Sequence, residues 1–192
     1  MDDRDRRRPD VTTVEVVGGQ PPLTVGLQEH DPGWAEAYLV HRRRILAAVG
    51  DAALAVEHIG STSVPGLAAK PIVDVVLVVA DITAEEDHVE LLVDAGYELR
   101  VREPGHRLVR TPARDVHVHV YEEGASAIDA YLLLRDRLRA DPADRDLYER
   151  TKRELMTRRW ETMDAYADAK TAVIQGILAR ARARAARGSR RA

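Results

Sequence analysis

The chain carries apolar residues in both of the periods that distinguish strands from helices. Over residues 115–121, valines alternate with His117 and His119, which predicts a strand with one apolar and one polar face. The run 72–79 is apolar at nearly every position, as is typical of a strand buried on both faces. Over residues 32–49 the apolar positions recur every three or four residues, which predicts an amphipathic helix.

The remaining segments extend this pattern to a sheet followed by helices. Thr83 and Gly96 stand where a helix would start and end, and Pro65-Gly66 breaks the chain before the buried strand. Further strands are predicted at 53–59, 97–101 and 107–110, and further helices at 84–95, 126–140, 144–160 and 164–181. We therefore predict an α/β fold in which a mixed sheet has flanking helices and a C-terminal helical bundle.

The length of 192 residues suits one compact domain with an appended helical part. Residues 1–20 are charged and then rich in glycine and proline, so we expect a disordered tail. The α/β core is predicted at 21–125 and the helical part at 126–181. Residues 182–192 form an Arg/Ala-rich tail that is expected to fray.

Composition and charge exclude several classes of protein. The absence of cysteine excludes disulfides, thiolate metal ligands and a cysteine nucleophile. A formal net charge of −3 does not indicate a general nucleic-acid-binding protein. No apolar run reaches the roughly 18 residues of a membrane-spanning helix, and the charged N-terminus does not resemble a signal peptide. We therefore expect a cytoplasmic protein with no membrane partner, for which nucleic acid is an unlikely partner.

The turn Gly60-Ser61-Thr62-Ser63 is the first candidate site. Backbone N–H groups and hydroxyls exposed in such a turn can bind a phosphate, and Lys70 would add a positive charge. Asp74 opens the buried strand, where an unpaired carboxylate is costly, so a metal ion or a cationic partner is favoured. The structural alternatives are a hydroxyl-capped turn, a solvated lysine and an aspartate satisfied by backbone N–H groups.

A second candidate is a metal site formed by Asp74, His117 and His119. The two histidines share one strand face, with side chains roughly 6–7 Å apart, and imidazole suits zinc or iron better than magnesium. The alternative is a pair of exposed or hydrogen-bonded sheet histidines. Glu57 and His58 point to opposite faces of their strand, and we expect Glu57 to face the site as an extra ligand or general base.

Basic residues of the predicted helices are candidates for binding phosphate or an acidic substrate. Arg135 and Arg139 are four residues apart and share a helix face, and Lys152 and Lys170 each follow a tyrosine by four residues. Arg135 is the first choice, because a guanidinium binds phosphate bidentately. The alternative is an ion-paired, solvated helix surface on which the tyrosines cover the lysine stems.

Several longer motifs occur between residues 23 and 181. They are Glu57-His58-Ile59-Gly60-Ser61-Thr62-Ser63-Val64-Pro65-Gly66-Leu67, Ala69-Lys70-Pro71-Ile72-Val73-Asp74, His117-Val118-His119-Val120, Arg135-Asp136-x-Leu138-Arg139-x-x-Pro142, Tyr148-x-x-x-Lys152 and Tyr166-x-x-x-Lys170. On these motifs the chain resembles the GrpB-like family, within the nucleotidyltransferase superfamily typified by DNA polymerase beta. That superfamily pairs a Gly-Ser turn with Asp-x-Asp, and this chain departs from the pattern because Val76 takes the place of the second acid.

The resemblance implies a divalent metal, with Mg²⁺ or Mn²⁺ favoured and Zn²⁺ as the alternative, and a nucleoside triphosphate as co-substrate. It further implies transfer of a nucleotidyl group to a small molecule, or activation of that molecule, so we lean towards an enzyme. Two other hypotheses stay open. One is a non-catalytic nucleotide-binding module that has lost the second acid. The other is a transition-metal-dependent enzyme that uses Asp74, His117 and His119 for different chemistry.

Overall fold

The structure, a computed structural model, describes residues 9–18, 26–158, 160, 165 and 168–189 of the chain. Its strands are β1 (Glu15–Val16), β2 (Ala55–Ile59), β3 (Val73–Val79), β4 (Glu98–Glu103), β5 (His106–Arg110) and β6 (Val116–Glu122). Its helices, within those residues, are α1 (Gly33–Val49), α2 (Val89–Asp94), α3 (Ser126–Ala140), α4 (Pro142–Met156) and α5 (Thr171–Ser189). These elements confirm the predicted mixed α/β architecture.

All six strands belong to one sheet in the order β1-β4-β5-β6-β3-β2. β3 and β6 run parallel, whereas the other four neighbouring pairs are antiparallel. β3 lies between β2 and β6, and nearly all of its residues are buried, as its continuous apolar run predicted.

One row of residues crosses five strands in direct register. Ile59 pairs with Asp74, Asp74 with His117, His117 with Arg110, and Arg110 with Glu98. Residues paired in this way point to the same face of a sheet. Asp74 therefore lies in the middle of a polar row, with the Gly60 turn on one side and Arg110 on the other.

The opposite face of the sheet forms the main core. There the alternate residues Val75, Leu77 and Val118 are fully buried and pack with α1, whose Ile45 is also fully buried. On the face that carries Asp74, α3 covers Val76 and its neighbours through a smaller cluster that includes Tyr131. The polar row thus lies beside α3, on the face that is not the main core.

The segment after the Gly60 turn is fixed against the C-terminal helices. Val64 and Leu67 are fully buried and pack with Leu138 of α3, Tyr148 of α4 and Ile177 of α5. This cluster brings α4 and α5 next to the turn, although about 80 and about 110 residues, respectively, separate them from it in sequence.

Residues 9–18, which the sequence assigned to a disordered tail, include a strand, whereas residues 1–8, 19 and 20 lie outside the described part. β1 pairs with the edge of the sheet at β4. Asp10 accepts hydrogen bonds from the backbone N–H of Gly105 at 2.7 Å and from Arg107 at 2.8 Å. The physical reason is the burial of Arg107, which is 1 % exposed and needs carboxylate partners.

Several helix boundaries differ from the prediction, and α4 spans Pro142–Met156 where the pattern predicted 144–160. The segment predicted as helix 84–95 begins with a 3₁₀ turn, and α2 starts only at Val89, because Glu85 is paired with Arg102 and Arg107. Thr83 is not the N-cap, since its hydroxyl donates to Asp81. The last predicted helix is described from Thr171 and continues to Ser189, beyond its predicted end at 181. The proposed start at 164 lies outside the described residues.

Candidate functional site

Asp74, His117 and His119 lie together, as the sequence predicted. His117 Nδ1 and His119 Nε2 are each 3.7 Å from Asp74 Oδ1. One ligand atom from each residue lies within 4.8 Å of the other two. The geometry follows from the parallel pairing of β3 and β6, which places Asp74 opposite His117, and from the period of two, which brings His119 to the same face.

A hydrogen-bonded relay determines which nitrogen His119 presents to Asp74. His106 Nδ1 lies 2.9 Å from Glu103 Oε2, and a carboxylate only accepts, so His106 donates there and its Nε2 is free of a proton. That Nε2 then accepts from His119 Nδ1 at 3.1 Å. A neutral His119 that donates from Nδ1 presents an unprotonated Nε2 to the Asp74 carboxylate, 3.7 Å away.

These donors fit a divalent metal. A nitrogen lone pair and a carboxylate oxygen repel each other across 3.7 Å unless a cation lies between them. Burial lowers the pKa of His117, against the opposing charge of Asp74, so its imidazole is neutral at pH 7, as a ligand must be. Two imidazoles with one carboxylate suit manganese, iron or zinc better than magnesium. The position of the missing second acid, Val76, is fully buried.

The Gly60 turn lies directly against this cluster. Gly60 has φ +70° and ψ −174°, and Ser61–Ser63 follow as one 3₁₀ turn. The Thr62 hydroxyl donates to the Ile72 carbonyl at 3.1 Å, and the Ser63 hydroxyl donates to the Gly60 carbonyl at 2.6 Å. Both side chains are buried, so their hydroxyls serve the turn itself. The Ser63 backbone N–H also donates to the Gly60 carbonyl, at 3.3 Å, so the rest of the turn backbone and the Ser61 hydroxyl stay as predicted phosphate-binding groups.

Ser61 is the residue of the turn that contacts a lysine. Its hydroxyl accepts a hydrogen bond from Lys152 Nζ at 3.1 Å, and the same ammonium donates to the Ala68 carbonyl. Burial and the charge of Lys170 lower the pKa of Lys152 to about 7, although Glu149 opposes the shift. Lys152 is 3 % exposed, and its Nζ lies 4.9 Å from the centroid of the Tyr148 ring, the tyrosine that precedes it by four residues.

Lys70 and Lys170 belong to the same positive group. Burial and the charge of Lys170 lower the pKa of Lys70 to about 8, and the Asp74 carboxylate opposes the shift. Burial also lowers the pKa of Lys170, again opposed by Asp74. Three predicted phosphate-binding lysines, Lys70, Lys152 and Lys170, are therefore close enough to interact with one another or with Asp74.

The predicted arginines and Glu57 are engaged with one another and with the turn. Arg135 donates to Glu57 at 2.8 Å and to the His58 carbonyl at 3.1 Å. Arg139 donates from Nε and from a terminal nitrogen to the Ser63 carbonyl, at 2.9 and 2.7 Å. Glu57 shares the Asp74 face through its pairing with Val76, yet it lies outside the three-residue metal cluster. Its role as a base stays a prediction.

His58 is part of the core rather than of the site. It is 6 % exposed, its ring stacks on Tyr38 with centroids 4.7 Å apart, and its Nε2 donates to the Thr62 hydroxyl at 3.1 Å. Burial lowers the pKa of His58 to about 4, so the ring stays neutral and supports the turn.

Sequence reasoning missed His106, Glu103, Arg110 and Tyr131. Tyr131 of α3 stands over His119, with ring centroids 5.9 Å apart, and burial raises its pKa. The alternation His106-x-Leu108-x-Arg110 on the strand before His117 was the available signal, because antiparallel neighbours share a face. It required knowing that β5 pairs with β6.

Among the described residues, no helix has the length and the apolar character needed to cross a membrane.

Residues 24–180 match the family model described as GrpB protein. The UPF0157 protein SCO7215 of Streptomyces coelicolor is 66 % identical over 92 % of this chain and 94 % of its own length. A crystal structure of the conserved protein GrpB from Enterococcus faecalis has a TM-score of 0.72 and 32 % identity, over 81 % of this chain and 96 % of that one. A dephospho-CoA kinase of Mycolicibacterium paratuberculosis is 30 % identical, over 74 % of this chain and 42 % of its own length.

Proposed function

This chain belongs to the GrpB family, and from that premise we propose that it is a metal-dependent nucleotidyltransferase acting on a small molecule. The proposed fold relationship to nucleotidyltransferases is supported by a Gly-Ser turn packed against an Asp at the start of a central strand. The co-substrate is a nucleoside triphosphate, and Asp74, His117 and His119 hold the metal.

The observation that carries this proposal is the proximity of the candidate metal ligands to the candidate phosphate-binding groups. The metal-ligating group and the phosphate-binding group meet at Asp74, whose carboxylate contacts Gly60 and whose charge acts on Lys70 and Lys170. A triphosphate bound by Ser61 and the lysines would therefore have one end at the candidate metal site. A structural ion-pair network would not need two imidazole nitrogens at equal distance from one carboxylate oxygen, as His117 and His119 are from Asp74.

The residues around Asp74 have separate proposed roles in the transfer of the nucleotidyl group. The lysines and the Gly60 turn bind and orient the phosphates, and Arg139 keeps the turn in place through the Ser63 carbonyl. The nucleophilic atom of the acceptor forms a bond to the α-phosphorus, the bond to the bridging oxygen breaks, and pyrophosphate leaves with the electron pair. Glu57 is the proposed acceptor of the proton that the nucleophile loses. When bound, the metal would stabilise the charge that develops on the transferred phosphoryl group.

The donor set bears on the choice of metal. One carboxylate and two imidazoles favour Mn²⁺ or Zn²⁺ over Mg²⁺, and a site with one acid accommodates one metal ion more readily than two. The same donor set supports a second candidate function, a transition-metal enzyme that needs no nucleotide.

The test is thermal unfolding of the full chain with each of ATP, GTP, CTP and UTP, combined in turn with Mg²⁺, Mn²⁺ and Zn²⁺. A ligand at a hundred times its Kd stabilises the folded state by about 2.7 kcal/mol, which is a measurable rise in Tm. We expect a rise that needs metal and nucleotide together, and release of pyrophosphate once the acceptor is present. Asp74→Asn and Lys152→Met should each remove this joint rise, the first by loss of a metal ligand and the second by loss of a phosphate-binding lysine.

The possible outcomes separate the hypotheses. Metal binding without any nucleotide effect would overturn the transferase proposal in favour of the transition-metal enzyme. Nucleotide binding without turnover, for every acceptor class tried, would favour the non-catalytic module. An unchanged response in Asp74→Asn would remove the metal site from the proposal.

A further inference from the structure

Arg110 lies next to the candidate metal site, on the side away from the lysines. It pairs directly with His117, and His117 pairs with Asp74, so all three residues point to one face of the sheet. Neighbouring strands are about 4.8 Å apart, which places the Arg110 backbone roughly 10 Å from that of Asp74. A small molecule at the metal site would reach it.

The Arg110 guanidinium is buried but incompletely partnered. Its side chain is 8 % exposed, and its Nε has no hydrogen-bond partner among the described residues. The carboxylate of Glu98 is 3.8 Å from Nε, too far for a hydrogen bond, and is itself 52 % exposed. A buried donor without a partner is unfavourable, so an oxyanion that accepted its hydrogen bond would bind favourably.

Two further arginines add to the positive charge at this position. Burial and the charges of Arg100 and Arg114 lower the pKa of Arg110 against the effect of Glu98. Arg100 is also buried, and it donates to the Val17 carbonyl of the N-terminal segment. The three arginines outnumber the two carboxylates near them, Glu98 and Asp74, so the charge around Arg110 is net positive.

We propose that Arg110, with Arg100 and Arg114 beside it, binds an oxyanion group of the acceptor, so that the substrate class is an acidic small molecule. The proposal rests on the proposed function in taking Asp74 and His117 as the reacting centre. Phosphates of the nucleotide lie on the lysine side of Asp74, the acid group of the acceptor lies on the arginine side, and the acceptor's nucleophile lies between them.

The Nε–H group of Arg110 offers a direct readout by ¹H–¹⁵N NMR. The experiment uses the full chain without nucleotide or metal, titrated at constant ionic strength with inorganic phosphate and, separately, with succinate. Arg110→Lys identifies the resonance by its disappearance. We expect a saturable shift of that resonance with at least one of the two probes. A shift with phosphate indicates a phosphorylated acceptor, and a shift with succinate indicates a carboxylic acceptor. No saturable shift with either probe would overturn the proposal.

Glu98→Gln is the matched variant, because its exposed side chain is not needed for folding. Removing the competing carboxylate should tighten anion binding about fivefold, the effect of one unit charge at roughly 4 Å in water. If the Arg110–Glu98 pair were purely structural, Glu98→Gln would not increase the anion affinity, and that result would contradict the proposal. Lys152→Met should leave this titration unchanged, so failure of the nucleotide test and failure of the anion test are distinguishable.

Discussion

Gly60 and Asp74 are in direct contact, and the contact leaves no space for a side chain at position 60. A Cβ atom built on Gly60 would overlap Asp74 Oδ2 and lie 3.0 Å from Asp74 Cβ. The φ of +70° with ψ near 180° also belongs to a region that only glycine adopts readily. The position of the Asp74 carboxylate therefore depends on a glycine in the adjacent turn.

Gly60→Ala should weaken both folding and metal binding. We expect a loss of about 2–3 kcal/mol in the free energy of unfolding, from backbone strain and from displacement of Asp74. Mn²⁺ affinity, measured by electron paramagnetic resonance of the free ion, should fall as well. Gly66→Ala is the control, because Gly66 also has a positive φ, +78°, but has open space around its Cα. Equal Mn²⁺ affinity in the two variants would show that Gly60 does not position Asp74.

His106→Phe should reduce metal affinity without removing a ligand. The phenyl ring keeps the stacking on Tyr121, at 4.5 Å in the native protein, but loses the hydrogen bond that orients His119. Loss of such an orienting partner costs about 10–100-fold in metal affinity. His41→Phe is a matched control, because it also removes a histidine hydrogen bond, here to Tyr97, away from the site. Calorimetry that gave both variants the same Zn²⁺ affinity would argue against the relay.

Nucleotide binding should take up a proton at pH 8, because Lys152 has a pKa of about 7 and is mostly neutral there. A bound triphosphate favours the charged ammonium and raises that pKa, so affinity should fall as the pH rises from 7 to 9. The charged groups that act on Lys152 are Lys170, Glu149 and Arg153. Calorimetry in buffers of different ionisation enthalpy measures the uptake. It should decrease in Lys152→Met, and an enthalpy independent of the buffer would contradict the prediction.

Glu85→Gln should destabilise the fold, because Arg107 is 1 % exposed and pairs with Glu85 at 2.6 Å. Removing one partner of a buried ion pair costs about 3 kcal/mol, and Asp10 remains to limit the loss. Urea unfolding measures the change. Glu29→Gln, which removes an exposed ion pair with Arg153, should leave the midpoint unchanged. A similar midpoint for both variants would mean that the buried pair adds nothing to stability.

The Glu85 carboxylate should also make the free energy of unfolding depend on pH in the acid range. Burial alone would raise the pKa of Glu85, but hydrogen bonds from Arg102 and Arg107 outweigh it and lower the pKa. A lowered carboxylate pKa stabilises the fold above the unfolded pKa, and that contribution is lost as the pH falls through the folded value. Wild-type stability should therefore decrease below about pH 4, and Glu85→Gln should show a smaller decrease.

Much of the candidate site was predictable from local pattern. The alternation over residues 115–121 placed His117 and His119 on one face, and the apolar run 72–79 identified the strand that carries Asp74. Local pattern did not show which hydroxyls of the Gly60 turn face outward and which form hydrogen bonds within the protein. It treated Thr62, Ser63 and Ser61 alike, although two of the three hydroxyls are turned inward to backbone carbonyls.

The sequence by itself determined the elements, the face on which each polar residue of a strand lies, and membership of a family of proteins. These follow from periodicities of two and 3.6 residues, which act between near neighbours in the chain. Strand order and register were decided only in the tertiary structure, because they depend on contacts between residues far apart in sequence. The tertiary structure places Arg110 beside His117, His106 against His119 and Lys152 against Ser61. The third of these pairings required the burial of Val64 and Leu67 against helices that follow some 60 to 110 residues later.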